Sequence, residues 1–288
     1  MTRTVAITGA STGIGEACAL ALDAKGWRVF AGVRKEADGA ALRAKASDRL
    51  TPLILDVTDG TQIRAAAATV ADAVGDAGLD GLVNNAGIAV AGPMEFVPLD
   101  DLRRQLEINV VGLVATTQAF LPLIRRASGR IVHMGSVGGS FAVPFAGPYS
   151  ASKFAVEAIT DAMRVELAPW RIHVALVKPG AVATPLWDRS TAIADEMLTR
   201  VPPETMTFYG TAIERMRELA AHEAASGIAP EKVATVVVHA LTSMKPRTRY
   251  VLGPQAGLRV TLSRLLPDRT RDKLVVKQTG LPGEGSAR

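Results

Sequence analysis

Residues 4–15 read TVAITGASTGIG: a short run of β-branched and apolar residues enters a turn with glycines at 9, 13 and 15, and a helix-period stretch follows. Small side chains in such a turn let the backbone approach a pyrophosphate. The first amides and the positive dipole end of the next helix face the same point. The turn lacks the Lys-Ser/Thr ending of a P-loop, which argues against a nucleoside triphosphatase. Strand, glycine-rich turn and helix in that order open a dinucleotide-binding sheet. Gly9, Ser11, Thr12, Gly13, Ile14 and Gly15 are therefore the first candidate cofactor contacts.

The same alternation continues along the chain. Runs at 28–33, 52–55, 81–84, 130–135, 172–178 and 248–252 join 4–8 as candidate strands, with helices expected at about 13–25, 61–77, 99–125, 149–168 and 230–243. Short Val- and Ile-rich runs separated by longer Ala-rich helical stretches describe repeated βα units around a sheet buried on both faces. The predicted fold is a single doubly wound α/β domain of Rossmann type over 1–253, with a seven-stranded, mainly parallel sheet and helices on both faces, followed by a helical extension and tail over 254–288. Residues 184–228 break the rhythm. Ligands of open α/β sheets bind outside the carboxyl ends of the strands, so this insertion is placed to cover a site; a surface subdomain is the plainer alternative. The end GLPGEGSAR, 280–288, is expected to fray.

Composition bounds the function. A hydrophobic share of 48% against 21% charged residues supports a large core, and no uninterrupted run of apolar residues is long enough to span a bilayer, so a soluble protein is expected. The opening residues carry no secretory pattern, and the single cysteine, Cys18, excludes an internal disulfide; both suit a reducing cytoplasm. The net charge of +5 comes from bases interspersed with acids, so nucleic acid is not an expected partner. His133, His173, His222 and His239 lack ligand spacing, and no metal is expected.

The strand ends supply the remaining candidates. A carboxylate ending the second strand would bind the adenosine ribose; here AGVRKEA puts Val33 there, followed by Arg34 and Lys35. That favours NADP(H), with NAD(H) still possible, while a solvated loop-end charge is the alternative for Arg34. ILDVTD places Asp56 and Val57 at the third strand end, where Asp56 suits the adenine amine or else caps the next helix, a role Thr58 or Asp59 could also fill. NNAG at 84–87 offers Asn85, Ala86 and Gly87 beside the cofactor. Tyr149 and Lys153, in GPYSASKFAVEAITDAM, are four apart at the start of a helix and so share a face. A nearby ammonium lowers a phenol's pKa from about 10 toward working pH, which would make Tyr149 an acid for carbonyl reduction and a base for alcohol oxidation. Two surface side chains on an ordinary helix are the alternative.

These elements, in this order, resemble the short-chain dehydrogenase/reductase family: TGASTGIG, Asp56, NNAG, Asn109 in EINVVG, Ser136 in HMGSVGG, Tyr149 with Lys153, and KPGAVAT at 178–184. The resemblance is tight over 4–184. VFAGVRK and PDRTRDK are similar to the branch acting on retinol, steroids and other bulky alcohols. It implies that Ser136 orients the substrate oxygen, that Lys153 also holds the nicotinamide ribose, and that Asn109, by its side chain or its backbone, holds a water relaying protons to Lys153. It further implies that Pro179, Gly180, Val182 and Thr184 border the cofactor. Read without it, Ser136 is equally a turn residue and Asn109 a helix bend.

Gly138, Phe141, Val143, Phe145, Leu186, Trp187, Met197 and Phe208 are the candidate substrate contacts, each equally a packing residue. Most are apolar, so the expected substrate is a hydrophobic alcohol or its ketone or aldehyde. The tail GLRVTLSRLLPDRTRDKLVVK, 257–277, interleaves leucines and valines with bases; packing within the chain or on a partner subunit is favoured over a membrane surface. A homodimer or homotetramer is the expected assembly. A non-catalytic dinucleotide sensor on the same fold is the competing reading, opposed by the intact Ser136, Tyr149 and Lys153.

Overall fold

The computed structural model describes residues 2–282. The elements run β1 (Thr4–Ile7), α1 (Gly13–Ala24), β2 (Arg28–Val33), α2 (Glu36–Arg43), β3 (Leu50–Ile54), α3 (Gly60–Val74), β4 (Gly81–Asn84), α4 (Leu99–Leu106), α5 (Gly112–Ala127), β5 (Arg130–Met134), α6 (Gly147–Glu166), β6 (His173–Pro179), α7 (Leu186–Leu198), α8 (Glu204–Ser226), α9 (Pro230–Thr242), β7 (Arg249–Leu252), α10 (Ala256–Leu265) and α11 (Asp268–Thr279). The expected fraying at 283–288 lies outside the described residues.

The seven strands pair in the order β3-β2-β1-β4-β5-β6-β7, every pair parallel. Side chains alternate across the sheet with period two: Val5, Ile7, Val29, Ala31 and Val177 join α1, α2 and α9 in one core layer, while Ala6, Phe30, Leu82, Ile131 and Val174 join α3 and α5 in the other. Both faces are thus covered, as a parallel sheet requires. The chain order reverses between β1 and β4, and a crevice opens outside the carboxyl ends at that point.

Three local readings change. Helix α2 falls where the sequence reading has none; its polar Glu36–Arg43 stretch hides a short buried face of Gly39 and Leu42. β3 begins at Leu50 and runs through Pro52, which an edge strand tolerates because one side of its ladder is unpaired. The helix expected over 99–125 is divided by a π-helical turn, Glu107–Val111, that carries Asn109. By length and composition alone the whole Leu99–Ala127 run could cross a membrane, but it packs against β4, α3 and α6.

Candidate active site

A cavity of about 1140 Å³ opens at the carboxyl ends of the strands. Its inner wall is built from the turn after β1, the ends of β2 to β6 and the start of α6; its outer wall comes from α7, α8, α10 and α11. The insertion therefore lies over the crevice. The C-terminal helices also fold back onto it, burying Ala256, Val260 and Thr279.

The glycine turn is shaped by close backbone approach. Gly9 sits at φ +65°, and a Cβ there would stand 2.8 Å from the Cα of Ala86; a Cβ on Gly15 would collide with the carbonyl oxygen of Gly9. Asn85 fastens the turn, donating from Nδ2 to the carbonyls of Thr8 (3.1 Å) and Gly9 (2.9 Å), while Thr8 Oγ1 accepts from the amides of Asn85 and Ala86 at 3.0 Å. Gly9, Ser11, Thr12, Gly13 and Ile14 face the cavity. Gly15 is buried beneath the turn and does not face it, a correction to the sequence reading.

Arg34 reaches the cavity wall, but Lys35 does not: it is exposed and immediately precedes α2, where the chain turns away. Asp56 and Val57 face the cavity. Asp56 Oδ1 accepts from the amide (2.9 Å) and hydroxyl (2.8 Å) of Thr58, and Asp59 caps α3 by accepting from the amides of Thr61 and Gln62. The capping alternative for Asp56 is thereby removed. Ala86, Gly87, Pro179, Gly180, Val182 and Thr184 complete this half, with the Thr184 side chain against Gly13.

Ser136, Tyr149 and Lys153 come together beside it. Ser136 lies two residues past β5 with its Oγ accepting from the Gly138 amide at 3.1 Å, and a Cβ on Gly138 would touch both Ser136 Oγ and the Tyr149 ring edge. Tyr149 and Lys153 share one face of α6, as four-residue spacing dictates. The Lys153 Nζ lies 5.7 Å from the Tyr149 ring centroid and donates to the Met134 carbonyl at 2.8 Å. Burial pushes the Lys153 ammonium down to about 8. The expected lowering of the Tyr149 phenol is corrected: surrounding protein pushes it above its ordinary value, and the Ser136 hydroxyl opposes that push.

Asn109 does not face the cavity. Its Oδ1 accepts from the Ile88 amide (2.9 Å), and its Nδ2 donates to the Ile88 carbonyl (3.0 Å) and Ser152 Oγ (3.0 Å), which in turn donates to the Tyr149 carbonyl (2.7 Å). The side chain is occupied in joining the segment after β4 to the first turn of α6, which corrects a water held by that side chain.

In the substrate half, Gly138, Phe141, Val143, Phe145, Leu186, Trp187 and Met197 all face the cavity. Phe208 does not; it is 61% exposed. Tyr209, one residue on, takes the inward position of that turn and meets Phe96 and Phe145 edge-on at ring-centroid distances of 6.0 Å.

The sequence reading missed a buried charge behind the site. Lys178, one residue before Pro179, is 1% exposed and bonds both Glu157 and the Ser140 hydroxyl. Glu157 Oε2 also meets Arg249 Nε at 3.3 Å. Tyr149, Lys153, Glu157 and Asp161 recur every four residues, so periodicity alone could have placed Glu157 on the Tyr149 face. Lys178 thus ties α6, the end of β6 and the segment after Ser136 to one another.

A parallel doubly wound sheet with a glycine-shaped turn and a Ser, Tyr and Lys cluster in one crevice defines a nicotinamide dinucleotide-dependent oxidoreductase. The short chain dehydrogenase family model matches residues 3–194, and the chain belongs to that family. It is 37% identical to retinol dehydrogenase 5 of Mus musculus over 93% of this chain and 86% of that protein. It is 35% identical to an NADPH-dependent 3-dehydrocapnine reductase of Ornithobacterium rhinotracheale over 96% of both. A crystal structure of a short-chain dehydrogenase from Streptomyces avermitilis matches with a TM-score of 0.76 and 30% identity over 97% of both chains. The chain is an oxidoreductase of alcohols and carbonyls in the retinol- and steroid-like branch.

Proposed function

We propose that the enzyme uses NADP(H), in preference to NAD(H), to interconvert a hydrophobic alcohol with its ketone or aldehyde, with Tyr149 as acid and base. The observation that carries this reading is the convergence of Ser136, Tyr149 and Lys153 on an apolar-walled cavity whose other half is the Gly9–Ile14 turn. The turn fits a pyrophosphate because glycines at 9 and 15 let it fold tightly, with Gly9 to Ile14 facing the cavity at the start of α1, and Arg34 at the wall offers a guanidinium to a 2′-phosphate. The NADPH dependence in the name of the Ornithobacterium relative supports the same choice.

The bound dinucleotide supplies or accepts the hydride. Ser136 orients the substrate oxygen, Tyr149 gives its phenolic proton to that oxygen in reduction and takes it back in oxidation, and the Lys153 ammonium favours the phenolate. Holding the Tyr149 carbonyl through Ser152, Asn109 keeps the first turn of α6 in position. The apolar wall of Val143, Phe145, Leu186, Trp187 and Met197 supports a bulky hydrophobic substrate. A cytoplasmic enzyme of two or four copies belongs to the same proposal. The single cysteine, Cys18, suits a reducing compartment, and exposed Phe154 and Val165 on α6 suit a subunit contact.

The test is a fluorescence titration with NADPH and NADH, followed by turnover of a panel of hydrophobic ketones and alcohols. Tighter NADPH binding with turnover is expected. NADPH binding without turnover across the panel would refute the substrate class, and failure to bind either dinucleotide would refute the cofactor site.

A further inference from the structure

The outer wall of the cavity separates its charges. Arg189 of α7, Arg217 of α8, Arg259 of α10 and Arg271 of α11 all face it, whereas Glu223 is the one carboxylate of these four helices that does so. The acids that α7, α8 and α11 carry otherwise, Asp188, Glu196, Glu214, Glu218 and Asp272 among them, lie off the wall. Glu223 is neutralised by Arg259 at 3.2 Å, and Arg217 and Arg271 meet Asp195 and Asp268, neither of which faces the cavity. Arg189 has no carboxylate partner among the described residues. Four guanidiniums therefore line the outer wall, three of them in ion pairs and Arg189 without one among the described residues, which leaves the wall a positive excess. The same four helices also bring apolar side chains to that wall, Met216, Leu219, Leu262, Leu266, Leu274 and Val275 among them.

The geometry points to an anionic amphiphile as the substrate: a long apolar body carrying the reacting hydroxyl or carbonyl, with one anionic end group held at the outer wall by Arg189, Arg217, Arg259 and Arg271. This rests on the oxidoreductase reading above and narrows its substrate class. Arg189, Arg217 and Arg259 are exposed and Arg271 is half-buried, so an anion among them keeps part of its hydration, while the apolar body is removed from water along the leucines. An anion deeper in would lose its water against apolar side chains, so charge orients the molecule head outward and reacting carbon inward. Strapping the helices together does not account for Arg189, whose side chain makes no hydrogen bond or ion pair among the described residues.

The experiment compares long-chain ketones with the carbonyl at several positions, each ending in a carboxylate, a sulfonate, a phosphate monoester or a neutral primary amide. Binding to the NADPH-saturated enzyme is followed by calorimetry and turnover by NADPH oxidation. The anionic members should bind and react about tenfold better than the amide at low salt, and the advantage should shrink at high salt as screening grows. In Arg189→Glu, which strands no buried charge, the anion-to-amide ratio should fall at least about threefold. Equal binding of amide and anions, insensitive to salt and to Arg189→Glu, would overturn the inference and leave the oxidoreductase reading intact. Preferential anion binding with no turnover at any carbonyl position would support the anion-binding wall and count against the reaction instead.

Discussion

Replacing Lys178 with methionine is expected to destabilise the fold and disturb the site together. Lys178 is 1% exposed, and the substitution leaves Glu157 facing the same low-dielectric region without its ammonium. Breaking a buried pair from one side costs roughly 3–5 kcal/mol. Arg249 remains 3.3 Å from the other Glu157 oxygen, so the expected loss is nearer ~2–4 kcal/mol, or about 3–7 °C in Tm for a chain of this size. Ser140 loses its lysine partner as well, which frees the segment carrying Ser136; kcat should fall more than KM changes. Urea unfolding and steady-state kinetics measure both effects. The double variant Lys178→Met, Glu157→Gln removes the stranded charge and should recover more than half of the stability lost. If the single variant loses less than about 1 kcal/mol, or the double loses the sum of both singles, the pair does not act as one unit.

Arg34→Asp should raise KM for NADPH by roughly 10–100-fold with little change for NADH; an unchanged cofactor ratio would move 2′-phosphate recognition elsewhere. For Lys153 the folded pKa of about 8 lies below its ordinary 10.5, so the free enzyme holds the ammonium only below about pH 8. The kcat/KM for carbonyl reduction should therefore be flat below that pH and fall about tenfold per unit above it. Fold stability should rise over the same 8 to 10.5 window, because the unfolded chain then binds the proton that the folded one has released; a pH–rate profile with urea titrations at either end reads both. Gly15→Ala, by pressing a methyl against the Gly9 carbonyl, should cost ~1–3 kcal/mol and weaken NADPH binding, and a neutral outcome in equilibrium unfolding and titration would show that the turn can shift.

Strand positions were readable because a sheet buried on both faces forces short, near-continuous apolar runs, and the functional strand ends follow from those runs. Asp56, Asn85 and Ser136 lie within two residues of such ends, whereas Tyr149 was legible from its four-residue spacing to Lys153 on α6. What escaped reading depends on contacts far apart in sequence. The pairing of Lys178 with Glu157 joins β6 to α6, and Phe208 differs from Tyr209 only by the rotation of α8 against Phe96 and Phe145. Helix α2 is too short and polar for its two buried residues to make a visible period. The four arginines of the outer wall come from four separate helices, so no local pattern announces them.

Tyr149→Phe bears most directly on the proposed chemistry, because it removes one oxygen from the site and leaves the ring packing in place. With NADPH titrated by fluorescence and ketone reduction followed in the same preparation, the variant should bind NADPH within about twofold of the parent and lose at least about 10³-fold in kcat. Turnover within tenfold of the parent would contradict Tyr149 as the proton donor, and with it the account of the site.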